Sequence, residues 1–211
     1  MGRTWGILGL CVAILAAVTV STSAAGTPVY WQGGGQGPGD GYWDNPGNWV
    51  GGVVPGGPFG GPWEAVLEVP GGLAVVREDV LIESVRIDHD QRVQVYHGTT
   101  LAPIVALYVG HNGYLEGVGS AEVASNAVTN DGTIGLDGFG KSLSLFTHSL
   151  LNQGEITVGN SGRLILENAA IDNGAGTIFV NSGGMLELDE VEVTGNEVEV
   201  RNSELRLAES N

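Results

Sequence analysis

The chain is almost without cysteine, poor in basic side chains and, past its first 25 residues, without any long apolar run. Its one cysteine, Cys11, lies in the N-terminal leader, so the remainder has neither a disulfide nor a thiolate metal ligand and must be held by packing. Lys and Arg number 8 against 24 Asp and Glu, a formal net charge of -16. Nucleic acid and anionic membrane surfaces, both bound through clustered Lys and Arg, are disfavoured as partners. Between Leu73 and Tyr96 no 3.6-residue apolar period appears, and the 36 glycines suit tight turns and few helices.

The first 25 residues read as a secretory signal. Arg3 supplies the positive start, Ile7 to Val20 the apolar stretch and Ser23-Ala24-Ala25 the small-residue cleavage site, with Gly26 as the expected mature start. Leu10 before Cys11 is bulkier than the small residue that precedes a lipidated cysteine, so Cys11 reads as an ordinary apolar position. Losing Arg3 takes the net charge to -17. The expected location is secreted or at the cell surface, with no membrane insertion once the signal is removed.

Residues 26–72 form an expected Gly/Pro/Trp-rich N-terminal cap. Pro and Gly at this density exclude a long helix and disfavour central strands, while Trp31, Trp43, Trp49 and Trp63 argue against plain disorder. Those rings could close the open end of a stacked fold, or they could stack on sugar rings and make carbohydrate contacts.

From 73 to 211 the chain repeats itself. Asn160, Asn181 and Asn202 are 21 apart, and Ile134, Ile156 and Ile178 are 22 apart. Aliphatic pairs recur at three places per period: Ile134/Leu136, Ile156/Val158, Ile178/Val180 and Val198/Val200; then Leu143/Leu145, Leu164/Leu166, Leu186/Leu188 and Leu205/Leu207. A third place is marked by Val128, Leu150, Ile171 and Val193. The residue between two paired aliphatics points the other way and is often polar, as at Thr157, Glu187, Glu199 and Arg206. Three short strands per period of about 21 residues predict an all-β, three-sided parallel solenoid whose coils stack strand on strand. Asn130-Asp-Gly132, Asn152-Gln-Gly154 and Asn173-Gly174 supply corners, and stacked corner asparagines can pair their amides. Six or seven coils spaced ~4.8 Å apart would make a rod of roughly 30 Å.

The Asn-x-Gly-x-Ile-x-Val and Gly-x-Leu-x-Leu coils resemble the right-handed parallel β-helices of secreted bacterial autotransporter and filamentous-haemagglutinin-type adhesins. Trp43-Asp-Asn-Pro-Gly-Asn-Trp49 with Gly52-Val-Val-Pro55 is similar to the Trp-rich opening of autotransporter-associated β-strand proteins. The resemblance implies a non-enzymatic structural or adhesive protein whose partners are an extracellular polysaccharide or a surface protein. The repeat runs to Asn211 in mid-pattern, which suggests a longer protein or a last coil covered by a partner, including end-to-end self-association.

The alternative is a polysaccharide-binding or polysaccharide-cleaving module of pectate-lyase-like shape. Asp88-His-Asp90 with Arg92 and His97 is the densest catalytic candidate, since paired carboxylates can do acid and base work on a glycosidic bond. No second acidic cluster accompanies it, so a solvated turn is expected and no catalytic residue is assigned. No cofactor is expected. Calcium is the one open ion: Gly34-Gly-Gln-Gly37 begins like a calcium-binding repeat, but Asp40 is displaced and the motif occurs once. Asp131, Asp137, Glu187, Asp189, Glu190, Glu192, Glu197 and Glu199 form an acidic field that could hold an ion through oxygen ligands. His89, His97, His111 and His148 lack zinc-like spacing.

Overall fold

The computed structural model describes residues 26–33, 41–56 and 62–208. The leader with its cleavage site and the Gly34-to-Asp40 calcium candidate lie outside the described residues. Among the described residues seventeen strands follow one another in chain order. They begin with β1 (Thr27–Tyr30), β2 (Trp63–Leu67), β3 (Leu73–Val76), β4 (Val80–Ile87), β5 (Arg92–Tyr96) and β6 (Thr100–Val109). Next come β7 (Tyr114–Asn130), β8 (Thr133–Asp137), β9 (Lys141–Asn152), β10 (Glu155–Gly159), β11 (Arg163–Glu167) and β12 (Ala170–Asn173). The last are β13 (Thr177–Asn181), β14 (Met185–Asp189), β15 (Glu192–Gly195), β16 (Val198–Arg201) and β17 (Glu204–Ala208).

Among the described residues every strand-to-strand pairing is parallel, and the strands of the middle coils pair both with a strand one coil earlier and with one a coil later. The result is a β-solenoid of about 7 turns with a coil spacing of about 22 residues. The 21-residue spacing of Asn160, Asn181 and Asn202 is not the register: Asn181 follows Val180, which faces Val158, and Arg201 faces Asn181. Individual coils range around the 22-residue value because the corners differ in length.

Three faces enclose the core. On the first, Ala74, Val93, Leu115, Ile134, Ile156, Ile178 and Val198 stack in register. On the second, Val80, Leu101, Val123, Leu145, Leu166, Leu188 and Leu207 do the same. The third column is Val29, Ala65, Val85, Leu107, Val128, Leu150, Ile171 and Val193. Every aliphatic residue of the sequence pattern from Val128 to Val200 therefore points inward at the expected place. The third face also reaches back before residue 73, since β1 and β2 belong to its ladder.

One corner carries a polar ladder. Asn130, Asn152 and Asn173 are fully buried. Asn130 Nδ2 donates to Asn152 Oδ1 at 2.7 Å, and Asn152 Nδ2 donates to Asn173 Oδ1 at 2.6 Å. Asn173 Nδ2 ends the run on the Asn196 carbonyl at 3.1 Å. Removing the middle amide would take one bond from each neighbour, leaving Asn130 Nδ2 only the Glu155 carbonyl at 3.1 Å and Asn173 Oδ1 without its donor. Asn152→Ala is expected to lower the unfolding free energy by about 1–3 kcal/mol through the orphaned buried amides. Asn160→Ala, at an exposed corner, should cost less; urea titration of the two variants checks the difference.

Candidate functional site

Aromatic side chains close the N-terminal end of the core. Trp31, Trp43 and Trp49 are 3%, 2% and 0% exposed. Trp49 meets Trp31 edge-on at 4.9 Å and Trp43 at 4.8 Å between ring centres. Trp43 Nε1 donates to the Pro55 carbonyl at 3.0 Å and Trp49 Nε1 to the Trp43 carbonyl at 2.7 Å. The backbone at Gly41 and Trp43 pairs with Val75, which adds a partial rung above β3. The apolar area of Trp31, Trp43 and Trp49 goes to covering the top of the core. Trp63 is half-buried and packs against that same core.

The Asp88 cluster is a corner. His89 and Asp90 take left-handed backbone angles, φ 54° and 62°, and are exposed. Asp88 Oδ1 accepts from the His89 backbone N–H at 3.0 Å. Arg92 leaves the group, stacking over Tyr114 at 4.7 Å and pairing with Glu116 at 3.9 Å. His97 Nδ1 accepts from the Ser120 N–H at 3.1 Å, one coil on. The five residues thus do not converge. The acidic field behaves likewise: among the described residues no group of three or more His, Cys, Asp or Glu side chains is gathered as a metal ion would need.

Two arrangements escaped the sequence reading. Glu116 is buried on the outer surface of the first face, where it pairs with Lys141 Nζ at 2.5 Å and accepts from the Gln94 side-chain amide. A buried carboxylate needs such partners, since truncating one would leave the charge uncompensated. The Tyr114 ring lies over Gly135, a strand position where any side chain would collide with it.

The second is a groove of about 880 Å³ at the bend between the second and third faces. Its lining includes Ile104, Asn126, Phe146, His148, Asn168 and Glu190. In β7 and β9 the bend is continuous, with Ser125 Oγ donating to the Ala127 carbonyl and Thr147 Oγ1 to the Ser149 carbonyl, both at 2.9 Å. In the next two coils Asn168 and Glu190 turn the corner at φ 55° and 53°. Asparagine accepts this conformation readily; a glutamate there is strained. Beside the groove, Glu167 stands in register with Asp189 on one side and Phe146 on the other. Burial first, then Asp189, Glu122 and Glu187, raise the Glu167 pKa above 4.5.

A raised carboxyl pKa means that the folded chain holds its proton more tightly than the unfolded one, so stability falls as pH rises from 4.5 through the folded value. Glu167→Gln should therefore raise the unfolding free energy at pH 7, by less than about 1 kcal/mol given the partial solvation. The gain should vanish below pH 4.5. Trp49→Ala should cost about 3–5 kcal/mol by opening a cavity at the end of the core. Thermal and denaturant unfolding check both.

No family model matches the chain, and no curated protein or solved structure is significantly similar to it.

Proposed function

We propose that the chain is an exported, cell-surface structural or adhesive scaffold of the bacterial adhesin kind that its coil grammar resembles, with no reaction of its own. The observation that carries this reading is the in-register stack of aliphatic columns through about 7 turns, beneath outward positions that change from coil to coil. Such a body is stiff along its axis and offers long lateral faces, which is what a spacer or adhesive surface requires. Its partners are a surface protein or an extracellular polysaccharide.

The groove favours a second reading, glycan binding. Phe146 offers a ring, Asn126 and Asn168 offer amides, and Glu190 and Glu192 offer carboxylates along one trough. Carboxylates repel uronic and sulfated chains, so neutral or amino sugars fit this trough better.

The chain beginning at Gly26 should leave a panel of acidic polysaccharides uncut, with or without calcium. Release of new reducing ends would reject the scaffold reading. Glu190→Gly should relieve backbone strain, stabilise the fold by up to about 1 kcal/mol and weaken retention on amino-sugar columns. Unchanged retention would remove the glycan reading.

A further inference from the structure

Gly26 is buried at the entry to β1, and the next residue, Thr27, donates its N–H to the Pro62 carbonyl at 2.7 Å. A Cβ placed on Gly26 would stand 2.6 Å from the Pro62 oxygen and 2.9 Å from Glu83 Oε2, so only glycine fits. Glu83 lies in β4 where the strand bends and its register with β6 shifts. Glu83 Oε2 is buried and has no hydrogen-bond partner. A carboxylate oxygen withdrawn from water without a donor is costly, and a native chain that retains one usually supplies the missing donor.

In the uncut chain Gly26 can offer only one neutral peptide N–H, aimed by the backbone. Cutting the preceding bond would give Gly26 an ammonium, with three donors and a full charge, on the residue whose Cβ position lies 2.9 Å from that oxygen. We propose that the Ala25–Gly26 peptide bond is hydrolysed and that the new Gly26 ammonium pairs with Glu83, fastening β1 to the solenoid once the leader is gone. An export-associated endopeptidase catalyses the cut. Water supplies the oxygen of the new Ala25 carboxylate, and the Gly26 nitrogen leaves with the electrons of the broken C–N bond and takes up protons. This rests on the export reading given above, and it adds a structural reason for glycine at the first position after the cut.

The test compares the chain starting at Gly26, released from a fusion by a site-specific protease, with the same chain carrying one extra alanine before Gly26. Both are made with and without Glu83→Gln. The Gly26 chain should melt roughly 2–4 °C higher, and the difference should disappear in Glu83→Gln and after Nα-acetylation of Gly26. An equal effect of Glu83→Gln in both chains, or insensitivity to acetylation, overturns the ion pair. The N-terminal mass of the exported protein tests the cut separately: a start at Gly26 supports it, and a start elsewhere overturns the processing step whatever the melting data show.

Discussion

Parallel hydrogen bonding between successive coils is the constraint on which the rest depends. It sets each residue directly over its equivalent one coil earlier, at about the 4.8 Å spacing of paired strands. A stack of that kind rewards like on like when the side chain is aliphatic or an amide. Hence Ile134, Ile156 and Ile178 form one apolar column, and Asn130, Asn152 and Asn173 one chain of amide bonds. The same spacing penalises like charges, and the outer surface reflects this. Glu187 is met by Arg163 at 2.7 Å across the coils, and Glu64 by Arg86 at 3.6 Å. Where two acids do fall in register, at Glu167 and Asp189, the Glu167 proton is held more tightly than usual.

The first described coils have a cover of their own. At the first coils, three interlocked indoles and a partial rung at Gly41 to Trp43 cover the aliphatic columns. The corners differ along the rod. The bend between the second and third faces passes from the hydroxyl-braced form of Ser125 and Thr147 to the left-handed form of Asn168 and Glu190, and the groove lies across that change.

Much of this was legible residue by residue. The aliphatic pairs from Val128 onward named the inward positions, and the corner asparagines named the ladder, because both are local consequences of a two-residue side-chain alternation. The Asn160 to Asn202 series misled by one residue, since corners of unequal length break a strict period while strand register is kept. The groove was not legible, because its residues belong to no motif: Asn126, Phe146 and Asn168 become neighbours only when coils stack. The Trp residues were visible as a group, but composition does not tell a ring that faces a sugar from one that faces the core.

The sequence by itself determined the three-sided coil, the inward columns and the acidic, nearly cysteine-free character of the chain, because periodicity and composition are properties of the chain read in order. The tertiary structure alone decided that three indoles lie inside the fold, that Glu116 is buried against Lys141, and that a carboxylate oxygen of Glu83 waits beside Gly26. Those facts depend on which coil lies over which and on how each corner turns. Contacts between coils leave a signature in the sequence only where the same residue type recurs at the coil period, and these residues do not recur.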